Sequence, residues 1–564
     1  MDKREVLRNL SFGESVAEDE VDDLSRYFVE TDPWNQLFDG AADIVYGAKG
    51  SGKSALYSLL NSKEDALFDR GIVVIAGEEP RGQPAFKATS AESPASEVEF
   101  VCLWKLYFLT LVDRVLDEYG VRARSGEARN LHQHLERAGL THVAPAEGLS
   151  ALIRTVHKYV KQLAGRIALE PGAVLPDGTS FTTRICFAEL GDGDEGADTV
   201  NANELFQLAH VALEESGLEA WVLLDRLDVA FQDNAKLEEA SLRALFRAYQ
   251  DIKRWNHIRP KIFLRTDIWD RITHEGFREA SHITRSVTIK WDESSLMNLV
   301  VRRLLDNPAV VQYAEAEPAQ VLASASAQSS LFFALFPEMI TKDRQRLNSL
   351  RWILSNLADG KNEVSPRDLI HLLKSARSIQ IRELGVGRRA PAGQGLIGRT
   401  AFPEALKDVS QVRLKQTLFA EYPSLRPYIE ALAGHSPDLT VAELERAWGR
   451  NTNLTRLVAG RLVDVGFFRK KRKTVVIRDY RTVRQPNVNH SCQEQWRRMP
   501  KGRYVELSDL AVLWDVSERE AAGLAQQLQK GGYVEGRKLA GPHLQVFSIP
   551  PLYWHAAEIG MTAS

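Results

Sequence analysis

Eight consecutive residues carry the sharpest chemistry in the chain: Gly47-Ala48-Lys49-Gly50-Ser51-Gly52-Lys53-Ser54. A glycine, four residues, then Gly-Lys-Ser is the pattern of a loop that holds phosphate. Gly47, Gly50, Ser51 and Gly52 form a cradle in which successive backbone N–H groups can converge on an anion. Lys53 can reach the β and γ oxygens, and the Ser54 hydroxyl can ligate Mg2+. ATP and Mg2+ are therefore the expected ligands. Such a loop needs an acid at the end of another buried strand, and Trp221-Val222-Leu223-Leu224 followed by Asp225-Arg226-Leu227-Asp228 supplies it. Asp225 is placed for the metal and Asp228 for orienting the attacking water.

Elements must position these groups. Asp43-Ile44-Val45-Tyr46 reads as a strand before the loop, and Ser54 to Leu60 as a helix after it. Ile72 to Ala76, Ala220 to Leu224 and Lys261 to Leu264 read as further buried strands. Helices are expected over 98–119, 148–164 and roughly 237–255, with a hairpin turn at 173–179. Strands alternating with helices predict a parallel α/β sheet. After Trp291 the pattern is mainly helical to about Ile381. Residues 314–329, low in complexity, read as a loop or mobile insertion, and the Gly- and Pro-rich 385–398 as a linker.

The D-x-L-D strand ending resembles the Walker B of the STAND and KAP branches of P-loop ATPases. The whole layout also resembles the origin-recognition type of AAA+ ATPase, both within the additional-strand (ASCE) class. This likeness implies a P-loop NTPase parallel sheet with an extra strand between Walker A and Walker B. A helical lid and C-terminal winged-helix-like domains would follow. It implies that Arg265, in Ile262-Phe263-Leu264-Arg265-Thr266-Asp267, and Arg367, in Ser365-Pro366-Arg367-Asp368, sense the γ-phosphate. It implies self-association in which Arg285, Arg302 or Arg303 acts across the interface, and a role near phage defence or DNA maintenance. Position 228 is Asp where many relatives carry Glu. The implied organisation is an N-terminal arm (1–40), ATPase core (41–290, with an insertion over 80–205), lid (291–384), linker (385–398) and two winged-helix-like domains (399–486 and 487–564).

Charge marks the second functional region. The chain of 564 residues has net charge −3, yet 451–504 holds fourteen basic residues against three acidic ones. That segment is +11, which leaves −14 for the remainder. Arg469-Lys470-Lys471-Arg472-Lys473, with Arg478, Arg481 and Arg484, falls where a wing should follow two helices, at Thr440–Trp448 and Leu454–Val463. A polyanion partner is expected, DNA before RNA. A second block repeats the signature, with Gly466-Phe467-Phe468 answered by Gly532-Tyr533-Val534 and helices expected at 507–514 and from 517.

Other chemistries find no footing. Three cysteines, Cys102, Cys186 and Cys492, are too scattered for a disulfide framework or a cysteine zinc site. The thirteen histidines form no H-E-x-x-H pairing, and the acids from Asp192 to Asp198 lack the spacing of a calcium loop. No apolar run spans a bilayer, so a cytoplasmic protein without membrane contact is expected. The sequence reading is an ATP-binding and hydrolysing switch or motor with a nucleic-acid-facing C-terminal module. Its alternative is a non-hydrolysing, ATP-gated oligomeric scaffold that recruits a separate effector protein.

Overall fold

The computed structural model describes residues 2–14, 20, 24–77, 97–141, 155–156, 158–160, 184–186, 199–227, 235–274, 276–341, 347–471, 474–477, 504–506, 534–536, 546–548 and 552. Two compact units divide the chain. One comprises 1–336, 365–374 and 388–396, and the other 337–364, 375–387 and 397–564.

The first unit is built on a five-stranded sheet of β1 (Ile44–Gly47), β2 (Ile72–Ala76), β5 (Glu219–Leu224), β6 (Ile258–Arg265) and β7 (Ser286–Thr288). The order is β2-β5-β6-β1-β7, and every pairing is parallel. β6 therefore lies between the strand that enters the phosphate loop and the strand that ends in Asp225. This is the extra strand that the resemblance implies. The fold is α/β with a P-loop at the sheet edge.

Side chains alternate across the sheet, as a strand's period of two requires. Ile44, Tyr46, Ala220, Val222, Leu224, Ile262 and Leu264 enter one core, while Val45, Trp221, Leu223 and Phe263 enter the other. Among the helices used below, α1 (Lys3–Asn9) and α2 (Leu24–Tyr27) belong to the N-terminal arm, and α3 (Lys53–Ser62) follows the phosphate loop. The first core is closed by α4 (Glu97–Glu118), α5 (Ala202–Glu215) and α6 (Ala235–Ile252). The Trp104 indole N–H on α4 donates to the Ser241 carbonyl at 2.9 Å, and the Tyr107 hydroxyl to the Gly77 carbonyl at 2.8 Å. The long insertion thus supplies core to the sheet, and within it β3 (Arg184–Cys186) pairs antiparallel with β4 (Thr199–Asn201). The turn expected at 173–179 lies outside the described residues.

The region expected as a lid starts with α7 (Glu293–Leu305), capped by Asp292, whose carboxylate accepts from the Ser295 N–H. Residues 314–329 correct the sequence expectation of a loop. They contribute to helices at Pro318–Leu322 and Ala325–Leu335, the first opened by Pro318 and the second capped by Ser324. Alanine-rich sequence favours helix, and burial of Leu331, Phe332 and Leu335 fixes it. Residues 386–400 carry neither helix nor strand, yet Leu396 is buried and its N–H donates to the Leu335 carbonyl at 2.8 Å. α8 (Pro366–Gly385) begins the last part of this region.

In the second unit, β8 (Asp438–Thr440) leads into α9 (Val441–Trp448), a turn at Gly449, and α10 (Thr452–Asp464). Thr440 and Glu443 form a reciprocal capping box, and Asn451 caps α10 by accepting from Leu454 N–H at 2.9 Å. The strands then depart from a simple tandem. β9 (Arg469–Lys471) pairs with β13 (Val546–Ser548), which also pairs with β8. β10 (Thr474–Ile477) joins β11 (Tyr504–Glu506) and β12 (Val534–Gly536) instead. The two blocks exchange strands, whereas the sequence suggests one block completed before the next begins. Hydrogen bonding between strands distant in sequence has no local signature. The helices expected from 507 onward lie outside the described residues.

A buried charge cluster sits at the entry to β1. Lys261 is fully buried, donates to the Ala42 carbonyl at 2.7 Å and the Asp43 carboxylate at 3.0 Å, and stands 4.0 Å over the Trp221 ring. Burial drives its amine down to about 8, against the opposing pull of Asp43. Burial also raises the Tyr46 and Tyr249 phenols above the ordinary tyrosine range. Lysine in an unfolded chain titrates at about 10.4, so between pH 8 and that value the unfolded chain holds the extra proton and stability rises with pH. Above about pH 10 unfolded tyrosines ionise first and stability falls. Urea midpoints taken from pH 7.5 to 10.5 should climb and then drop, and Lys261→Met should abolish the climb.

Candidate nucleotide site and basic C-terminal strands

The phosphate loop leaves β1 at Gly47 and closes on α3. Gly50 and Gly52 have φ of +77° and +100°, a region that glycine enters without a Cβ penalty. Gly52 is the N-cap of α3, so the free N–H groups of the first helical turn face the loop interior. A Cβ on Gly47 would stand 2.3 Å from the Ser51 hydroxyl, which explains the glycine there. Lys53 Nζ donates to the Gly47 and Ala48 carbonyls at 2.9 and 3.0 Å, and the Ser51 N–H to Ala48 at 3.2 Å. The Ser51 hydroxyl is buried and has no hydrogen-bond partner among the described residues. Ser54 is half-buried on the first turn of α3. An orphaned hydroxyl, two left-handed glycines and a lysine folded over the turn fit a phosphate group.

Asp225 follows β5 directly and is buried. Arg226 after it has φ +54°, rare for a residue with a side chain and a local strain that marks the strand exit. Asp228 lies outside the described residues. At the end of β6, Arg265 is the register partner of Gly47, so the sheet itself sets the two side by side. Its guanidinium grips both oxygens of Asp267 at 3.0 and 2.8 Å. The start of α8 also reaches the loop. The Ser365 hydroxyl donates to the Gly50 carbonyl at 3.1 Å, and a Cβ on Gly50 would lie 3.3 Å from Arg367 Cβ. Gly47, Lys53, Ser54, Arg265 and Arg367 therefore gather at one edge of the sheet, and Asp225 leaves that same edge at the end of β5. That edge is where open parallel sheets receive ligands.

The three arginines expected to act across an interface fare differently. Arg303 is buried and bidentate with Glu20, its nitrogens 3.0 and 2.9 Å from the two carboxylate oxygens, and stacks over Tyr27 at 4.3 Å. It also donates to the Phe12 carbonyl. Arg285 holds Asp43 at 2.7 Å and the Gly40 carbonyl, at the entry of β1 and away from the loop. Arg303 is a buried anchor of the fold, which corrects the expectation for it, while Arg285 is paired within the chain and half-buried. The acidic arm neutralises Arg303, a pairing across 283 residues that no sequence window shows. Arg302 donates to Asn298 on its own helix at 2.8 Å.

In the second unit, Arg469 is half-buried and donates to the Asp359 carbonyl at 2.9 Å and the Asn362 side chain at 3.4 Å. Asp359 is buried there, and burial raises its carboxyl despite hydrogen bonds from the Lys361 and Glu363 N–H groups. Lys470 and Lys471 lie on β9, while Arg472, Lys473, Arg478, Arg481 and Arg484 are outside the described residues. The sequence reading placed a helix at Leu454–Val463 but named no nucleic-acid candidate on it; on α10 Asn453, Arg456, Leu457 and Arg461 are exposed, after a three-residue turn. The signal available was the Asn451 cap after Gly449, which sets two helices at the spacing of a helix-turn-helix.

No protein-family model matches the chain. Over 449 residues it is 23% identical to the transposon gamma-delta 80.3 kDa protein of Escherichia coli (strain K12), covering 76% of this chain and 55% of that protein. The chain thus spans about half the length of the curated relative it matches. Among solved structures, the Aeropyrum pernix ORC1 protein in complex with DNA aligns with TM-score 0.33 and 11% identity, over 81% of this chain and 89% of that one. The Aeropyrum pernix ORC2 protein, solved as ADPNP–ADP complexes, aligns with TM-score 0.32 and 12% identity, over 80% and 86%. The architecture stated above rests on the sheet order and the loop. No helix among the described residues is long and apolar enough to cross a membrane.

The buried pair yields a stability test. Arg303→Met leaves Glu20 buried without its partner and is expected to cost about 3–5 kcal/mol. Adding Glu20→Leu should recover most of it. Urea unfolding of the wild type, the two single variants and the double variant measures this, and an Arg303→Met protein of undiminished stability would contradict the anchor role.

Proposed function

We propose that the chain binds and hydrolyses ATP with Mg2+ as a switch or motor that acts on DNA, in DNA maintenance or defence against phage. The observation that supports this most is the position of Gly47–Ser54 at the edge of a β2-β5-β6-β1-β7 sheet, with buried Asp225 leaving that edge. Lys53 binds the β and γ oxygens, Ser54 and Asp225 hold the metal, and Asp228 orients the water. Arg265, beside Gly47, and Arg367, beside Gly50, meet the γ-phosphate. Mg2+, when bound, would neutralise charge developing between the β and γ oxygens. ATP-favoured self-association would add an arginine from a second copy, and Arg302 is the candidate left by the ion pairs above.

Turnover tests the enzyme. Lys53→Ala should abolish phosphate release. Asp228→Asn should keep ATP binding and lower turnover by about 100-fold or more, as for loss of a water-orienting group. Tight binding by the wild type without phosphate release would assign the scaffold reading instead.

The nucleic-acid reading draws on α10 and the basic run. Exposed arginines flanking exposed Leu457 suit a helix that meets phosphates and a thymine methyl in one groove. The matched Escherichia coli protein bears the name of a transposon, which fits work on DNA. Arg469 donates to the Asp359 carbonyl, so the phosphate contacts of the run are assigned to Lys470 through Lys473. If half of those four contact phosphate, replacing them with alanine should flatten the slope of log K against log salt by about 2. Affinity should fall alike for unrelated duplexes, and ATP affinity should not change. An unaltered slope would remove the run from the DNA interface.

A further inference from the structure

We infer that Trp291 and Ser365 are positioning residues that set the phosphate cradle from outside it; this rests on the ATP reading above. Two consecutive loop carbonyls are held by donors from elements far apart in the chain. The Trp291 indole N–H, just beyond β7, donates to the Ser51 carbonyl at 2.8 Å. The Ser365 hydroxyl, just before α8, donates to the Gly50 carbonyl at 3.1 Å. In a trans peptide the C=O and N–H point opposite ways. Holding the Ser51 carbonyl outward therefore aims the Gly52 N–H inward, and holding the Gly50 carbonyl fixes the peptide whose Ser51 N–H closes the turn onto the Ala48 carbonyl at 3.2 Å.

The loop needs such holding. Gly50 and Gly52 supply the left-handed conformations that make N–H groups converge, and glycine leaves those conformations as easily as it adopts them. A flipped peptide would present a carbonyl to the phosphates. Trp291 is suited to prevent it, because its indole is a rigid, donor-only group. It packs against the same core as β1, behind Ile289, whose N–H donates to the Tyr46 carbonyl at 2.7 Å. Ser365 ties the neighbouring peptide to the helix start that carries Arg367. The cradle is thereby preorganised by hydrogen bonds from the last strand and from the start of α8, which lowers the ordering cost of binding.

The predicted effect falls on nucleotide affinity more than on the chemical step. Trp291→Phe and Ser365→Ala should each weaken Mg2+-ATP and inorganic triphosphate about 3- to 10-fold, the size of one neutral hydrogen bond. KM should rise with kcat little changed, and Ser365→Thr, which keeps the hydroxyl, should bind like wild type. In full-length protein labelled with 5-fluorotryptophan, the fluorine resonance lost in Trp291→Phe should shift when triphosphate is added. Wild-type binding with both variants within twofold of it, or a Trp291 resonance unmoved at saturation, overturns this inference alone. Failure of the wild type to bind ATP or triphosphate overturns the ATP reading and this with it. Should Trp291→Phe not fold, the comparison of Ser365→Ala with Ser365→Thr decides.

Discussion

The edge that carries Gly47–Ser54 depends on β1 keeping its register, and a buried carboxylate at the other end of that strand holds it. Asp43 accepts from Lys261 on β6, from Arg285 ahead of β7 and from the Tyr249 hydroxyl at 3.1 Å. Its own backbone links the same elements, since its N–H donates to the Arg285 carbonyl and its carbonyl accepts from Ile262. A slip of one residue would leave a carboxylate and an ammonium buried apart, which costs several kcal/mol per ion. The cluster thus specifies one alignment of β6, β1 and β7. Four residues further on, that alignment places Gly47 beside Arg265. The loop's geometry is inherited from charges at the opposite edge.

A second pairing of this kind ties the arm to α7. Glu20 and Arg303 are both buried, and Tyr27, which stacks on Arg303, packs in the core that receives α3. Asn307, at the end of the same segment, exchanges hydrogen bonds with the Ser11 backbone at 2.7 and 2.9 Å. The helix after the phosphate loop and α7 are therefore joined through the acidic arm. Polar residues that a composition reading treats as solvated supply much of the internal structure here.

The C-terminal region separates charge from position. Its basic run is continuous in sequence, but its first member is engaged with the 359–362 turn and its next two lie on a strand of the β8-β13-β9 sheet. Close backbone approach enforces that arrangement: a Cβ on Gly360 would stand 2.1 Å from the Phe468 carbonyl. Charge density and phosphate contact are then different properties of the same five residues.

The sequence by itself determined the phosphate loop, Asp225 after its strand, the parallel α/β class and the helices of the first C-terminal block. Each of these rests on local physics: glycines that admit left-handed backbone, apolar runs of strand length, and caps within three residues of a helix start. Sequence periodicity likewise located β2 at 72–76 to the residue. The tertiary structure alone decided that Arg303 is an anchor and Arg285 is paired within the chain, that 314–329 is helical, and that the C-terminal blocks exchange strands. It alone revealed that Trp291 and Ser365 reach the phosphate loop. An arginine's role depends on which carboxylate folding brings beside it, and a strand's partner on hydrogen-bonding groups that every residue carries alike. Neither is encoded in any window of adjacent residues, because both are settled by contacts between segments hundreds of residues apart.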